Sequence, residues 1–150
     1  TLKSRCSQFR LSFNSEEKNK IFEDLCNHYE KKFYVLNNKE EFYYDTPGNL
    51  LKYFFLLEEL DIKHTQSLPS IISNFIDNYK AKKDHEHLYM IHILIEKLYN
   101  NICIKKDKNL EKLFHERDYI LRKIDDLKKY NLDEKIVFSL INEAILNYAK

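Results

Sequence analysis

Apolar side chains recur at every third or fourth position along most of this chain. That spacing places them on one face of an α-helix, where they can be buried together. Polar stretches lie at the ends of each stripe, so the pattern predicts helices joined by short connections. The stripes comprise Ile21, Phe22, Leu25, Cys26 and Tyr29; positions 50–57; Leu68, Ile71, Ile72, Phe75, Ile76 and Tyr79; Leu88, Ile91, Ile95, Leu98 and Ile102; Leu110, Leu113, Phe114, Ile120, Leu121, Ile124 and Leu127; and Val137, Leu140, Ile141, Ala144 and Tyr148.

Local sequences mark where several of these helices begin. Glu17 follows Asn14 by three residues, as in a capping box. In Thr46-Pro47-Gly48, threonine is suited to the cap and proline to the first helical position, and this helix should end near Leu60. Ser67 is the predicted cap of the next helix.

A further short helix is predicted over Asn38–Tyr44. Together with the helices on either side it would form a small bundle around Phe22, Phe42 and Phe54.

Polar sequences predict the connections. Positions 61–67 read as a link between two packing units, and positions 80–87 and 105–109 as charged turns. Asn131-Leu132-Asp133 is expected to separate the last two helices.

A short strand is predicted at the N-terminal end, where Phe9 to Phe13 alternate between apolar and polar residues. A strand needs a neighbour to pair its backbone groups. No second strand pattern follows, so we expect its partners to lie outside this chain.

The composition supports an all-α fold. The chain has one glycine and two prolines, whereas β-rich folds use many of both in turns. The hydrophobic share of 43% is sufficient for a buried core.

Charge and cysteine content narrow the classes of function. The formal net charge is +1, which does not favour binding of nucleic acid by the chain's own charge. The thiols of Cys6, Cys26 and Cys103 are widely spaced and form no C-x-x-C pair, which favours reduced cysteines in the cytoplasm. No apolar run reaches the ~18–20 residues of a membrane span. No secretory signal is recognisable.

Candidate chemistry is sparse. A single glycine is too few for a phosphate-binding G-x-x-x-x-G-K-[ST] loop, and we expect no cofactor. His85 and His87 are candidate metal ligands, although solvated histidines in a turn are commoner. His92 is expected to be a partly buried, hydrogen-bonded core residue, and Arg117 either to extend its head to solvent or to form a salt bridge at an interface.

Three short motifs resemble those of the clamp-loader subunits of bacterial DNA polymerase III. Ser4-Arg5-Cys6, followed by the predicted strand, is similar to the S-R-C motif that ends their ATPase domain. The segment 45–51 resembles the start of a helix in their lid, and the segment 130–138 resembles the turn before the last helix of their collar. The resemblance covers the whole chain and implies three parts: residues 1–13 as the end of the ATPase domain, 14–60 as a three-helix lid, and 61–150 as a helical collar.

The resemblance also implies a mechanism. Collars join five subunits in an open ring, and ATP binds between neighbouring subunits. Arg5 would be the arginine finger offered to a neighbour's ATP, with Ser4 and Cys6 positioning it. The partners would be the gamma or tau and delta subunits, with the sliding clamp and primer-template DNA engaged only by the assembled complex. No membrane partner is expected.

The type of subunit is indicated by a departure from the family pattern. ATP-binding members usually carry an arginine at the start of the lid's third helix, whereas positions 47–52 contain none and Lys52 is one turn late. This favours the delta-prime type, and a chain of this kind would not catalyse anything alone. Two alternatives stay open: part of an ATP-hydrolysing gamma or tau subunit, and a helical adaptor unrelated to replication.

Overall fold

The computed structural model describes residues 13–30, 46–63, 66–105, 110–130 and 133–148, and over these residues the chain is α-helical with no β-strand. The prediction of an all-α fold is confirmed. Of the predicted strand, positions 9–12 lie outside the described residues, and Phe13 is not in a strand. The helices are α1 (Ser15–His28), α2 (Pro47–Glu59), α3 (Leu68–Lys82), α4 (His85–Lys105), α5 (Leu110–Tyr130) and α6 (Glu134–Tyr148).

The chain divides into two compact units, Thr1–Asp61 and Ile62–Lys150. We refer to them as unit 1 and unit 2. Among the described residues, unit 1 contains α1 and α2, and unit 2 contains α3 to α6. Their identities as lid and collar stay predictions.

Unit 1 is built on the packing of α1 against α2. The capping box at the start of α1 is present: Asn14 Oδ1 accepts the Glu17 N–H at 2.8 Å, and Glu17 Oε2 accepts the Asn14 N–H at 2.8 Å. The rings of Phe22 and Phe54 lie 6.0 Å apart, and Tyr29 meets Phe55 edge-on at 5.6 Å. The predicted helix at 38–44, including Phe42, lies outside the described residues.

The two helices of unit 1 differ in burial. α1 has no fully buried residue, and its apolar face is half-buried. α2 supplies the buried side chains Leu51, Tyr53, Phe54, Leu56 and Leu57.

Unit 2 is a closed arrangement of four helices. Each helix packs against the next along the chain, and α6 returns to α3. The predicted stripes supply most of the core. Its most deeply buried hydrophobic side chains are Ile72, Phe75, Ile76, Leu88, Met90, Ile91, Ile95, Tyr99, Val137, Phe138 and Ile141.

The α3–α4 corner is shorter than predicted. The charged turn expected over 80–87 is wrong, because only Lys83 and Asp84 separate the two helices. Lys83 adopts the left-handed conformation at φ 56°, and its N–H donates to the Tyr79 carbonyl at 2.7 Å. Asp84 Oδ1 accepts the Glu86 N–H at 2.8 Å and thereby caps α4.

Aromatic and ionic contacts connect this corner to α6. Tyr79 meets Phe138 edge-on at 5.6 Å, and the Lys83 ammonium pairs with the Glu134 carboxylate. Burial and the nearby Glu134 charge raise the pKa of Tyr79, while Lys83 acts in the opposite direction.

Tyr79→Phe should make the protein less sensitive to alkali. A raised pKa keeps the folded phenol protonated after the unfolded one ionises near pH ~10. The stabilising contribution is therefore complete below that pH and is lost as pH rises through the folded pKa. Urea unfolding at pH 8 and at pH 10.5 should show a smaller loss of unfolding free energy in Tyr79→Phe than in the wild type. The exposed Tyr119 provides the control Tyr119→Phe, and equal losses in all three proteins would contradict the assignment.

Candidate functional site

The best-defined of the motif segments is the start of α2. Thr46 is extended at φ −79° and ψ 149°, and its Oγ1 accepts the Asn49 N–H at 3.2 Å. Its carbonyl accepts the Leu50 N–H at 3.0 Å. Pro47 occupies the first turn, where its missing N–H costs no hydrogen bond. The helix predicted to begin here is present, and its role in a lid stays a prediction.

Gly48 is not required by the backbone or by packing at this position. Its φ is not positive, and a Cβ built on it meets nothing within 4 Å. Glycine in a helix instead lowers stability, because it loses more backbone freedom on folding than other residues.

Of the motif at 130–138, Tyr130 ends α5 and residues 134–138 begin α6. Ser4, Arg5 and Cys6 lie outside the described residues, so the finger role of Arg5 stays a prediction. Lys52 lies one turn into α2 and is half-buried.

The two candidate metal-ligating histidines begin α4 rather than lying in a turn. His85 is exposed, but His87 is completely buried, with 0% of its surface accessible. The expectation of a solvated turn is therefore wrong for His87. Its ring lies 5.8 Å from Phe75, and its Nδ1 lies 3.3 Å from Asp84 Oδ2. The described residues contain no cluster of three or more His, Cys, Asp or Glu side chains able to hold a metal ion.

His92 and Arg117 both contact acidic residues. His92 is half-buried, with its Nδ1 3.6 Å from Asp125 Oδ1, so this contact joins α4 to α5. Arg117 donates from Nη2 to Asp118 Oδ1 at 2.8 Å and lies over the Phe114 ring at 5.1 Å. Its charge is thus paired with Asp118 within α5, and its guanidinium stacks on the Phe114 ring rather than extending into solvent.

Unit 2 carries several large apolar side chains on its surface. They are Tyr89, Ile104, Leu110, Phe114, Tyr119, Tyr130, Ile136 and Leu146. Where such side chains lie together, they can form an interaction surface. The predictions from sequence do not include Ile136 and Leu146 as surface residues. The signal for them was present, since both are apolar and lie off the predicted stripe of α6.

No protein-family model matches the chain, and no curated protein or solved structure is significantly similar to it. None of the helices in the described part of the chain combines the length and the apolar character needed to cross a membrane.

Substitutions at the start of α2 should have opposite effects. Thr46→Ala removes the side-chain acceptor for the Asn49 N–H and should lower the unfolding free energy by about 1 kcal/mol. Gly48→Ala meets no obstruction and should raise it by about 0.5–1 kcal/mol. Chemical denaturation followed by circular dichroism measures both. Stabilisation by Thr46→Ala, or destabilisation by Gly48→Ala, would show that this helix start is described wrongly.

Proposed function

We propose that this chain is the lid and collar of a clamp-loader subunit of the bacterial DNA polymerase III delta-prime type. Its collar helps to hold the loader pentamer together, and Arg5 acts as an arginine finger on a neighbouring subunit's ATP during loading of the sliding clamp. As part of that complex it acts in DNA replication in the cytoplasm.

The order of elements along the chain carries the proposal. Helix α2 begins with the capped Thr46-Pro47 sequence, and it belongs to a small helical unit that is followed by a separate four-helix unit. A lid followed by a collar requires that succession. The motifs at Ser4-Arg5-Cys6 and at 130–138 also occur along the chain in the order that this arrangement requires.

The chemistry assigned to Arg5 depends on its guanidinium group. A guanidinium placed in trans neutralises the charge that spreads over the transferring γ-phosphate oxygens. Since the ATP belongs to the neighbouring subunit, hydrolysis then depends on how the two subunits pack. Ser4 and Cys6 flank Arg5 and are assigned to positioning it, with no reaction of their own.

The delta-prime assignment follows from the start of α2. No arginine lies between Pro47 and Lys52, and Lys52 is half-buried. The chain therefore lacks the arginine that ATP-binding members of the proposed family usually carry at the start of the lid's third helix. The gamma or tau alternative predicts a subunit that hydrolyses ATP itself.

The proposed partners are the collars of the gamma or tau and delta subunits. The exposed apolar side chains of α4 and α5, such as Tyr89, Phe114 and Tyr119, provide surface for such contacts. With a formal net charge of +1, the chain is suited to meeting primer-template DNA and the sliding clamp only within the assembled loader.

Assembly tests the collar assignment. The purified chain is mixed with the gamma or tau and delta subunits of the same organism and examined by size-exclusion chromatography with light scattering. We expect a complex in which the chain is stoichiometric. If the chain elutes alone from every mixture, the collar assignment is wrong and the adaptor alternative gains.

ATP turnover tests the role of Arg5. In the full-length protein within the assembled loader, Arg5→Ala should lower hydrolysis at the site it faces by on the order of 10³-fold, as for other arginine fingers. Arg5→Lys should not restore the rate, because an ammonium lacks the planar fork of donors. Lys3→Ala is the matched control, removing a nearby positive charge that the motif does not use. Unchanged turnover in Arg5→Ala would refute the finger.

A further inference from the structure

The exposed side of α6 carries little charge compared with that of α5. We define the outer face of α6 as its exposed residues, Lys135, Ile136, Ser139, Asn142, Glu143, Leu146 and Asn147. Only Lys135 and Glu143 are charged. Ile136 and Leu146 are 59% and 68% exposed. By contrast, α5 exposes a dense set of charges, namely Glu111, Lys112, Arg122, Asp125, Lys128 and Lys129.

The two charges on this face are arranged symmetrically. Lys135 and Glu143 each lie four residues from Ser139, one on either side. They are therefore about 12 Å apart along the helix axis and close to the same side of it. Among the described residues, neither side chain has an ion-pair partner.

This spacing makes the face complementary to a second copy of itself. If two α6 helices run antiparallel and cross at Ser139, Lys135 lies level with the partner's Glu143, and the same pair forms again by symmetry. A parallel arrangement would instead set like charges against each other, which is unfavourable. The small side chain of Ser139 allows the helix axes to approach at the crossing.

We propose that two copies of this chain associate through the outer faces of α6, antiparallel about a twofold axis at Ser139. The contact removes water from Ile136 and supplies both Lys135 and Glu143 with partners. The proposal rests on the side chains of α6 and is independent of the function proposed above.

The association is weak. One 15-residue helix offers much less surface than the roughly 800 Å² per partner of a stable interface. Exposed ion pairs add little and are screened by salt. We therefore expect a dissociation constant on the order of 0.1 mM. Added salt should raise it further, because it screens the ion pairs.

Charge reversal tests the pairing directly. The wild type, Lys135→Glu and Glu143→Lys are compared by sedimentation equilibrium up to about 1 mM, a concentration tenfold above the expected dissociation constant. Each variant alone has two like charges on the face, so its dimer should be weakened at least tenfold. An equimolar mixture of the two variants should dimerise as the wild type does, because every crossing pair is then oppositely charged. The double variant should also recover, for the same reason.

Lys129→Glu is the matched control, since it makes the same charge change on the exposed side of α5. It should dimerise like the wild type. Circular dichroism confirms that each variant is folded. A charge-reversed variant that does not fold is replaced by the single variants Lys135→Ala and Glu143→Ala. Each alanine variant should weaken the dimer by itself, with no recovery when the two are mixed. A wild type that is monomeric throughout, or a mixture of the charge-reversed variants that stays monomeric, overturns the proposal.

Discussion

The four-helix unit depends on the burial of α4. This helix packs against both α3 and α5, and its buried side chains extend from His87 near its start to Ile102 near its end. Ile91 and Ile95 are completely buried. A fully buried aliphatic side chain stabilises a fold by about 1.5–3 kcal/mol relative to its exposed state. The surface ion pairs of the unit, such as Lys112 with Glu116, each contribute about 0–1 kcal/mol, so apolar packing on α4 decides the stability.

Polar contacts set the places where the helices begin and change direction. At the α3–α4 corner, Asp84 caps α4 while the left-handed backbone of Lys83 ends α3. The pairing of Lys83 with Glu134 joins this corner to the start of α6, where Asp133 Oδ1 accepts the Lys135 N–H at 2.9 Å. These contacts fix how α6 reaches α3. The orientation of α6 in turn determines which of its residues form the exposed face.

The sequence predicted those features that depend on neighbouring residues. The caps at Asn14, Thr46 and Ser67 were predictable because a side chain there bonds to a backbone N–H only three residues away. The corner was not, because lysine at Lys83 gives no sign of a left-handed backbone, and a run of charges usually indicates a solvated turn. The burial of His87 was also missed, since it depends on Phe75 from another helix. The motif at Ser4-Arg5-Cys6 stays a prediction from sequence alone.

The central structural claim is that unit 2 is one cooperative packing unit held together by α4, on which its exposed surfaces are displayed. Native-state hydrogen exchange on Ile95→Ala tests it, because this residue is completely buried and the substitution should cost about 2–5 kcal/mol. We predict that the slowest amides of α3, α4, α5 and α6 all lose the same free energy of protection. Loss confined to α4, with the slowest amides of α6 unchanged, would contradict the claim.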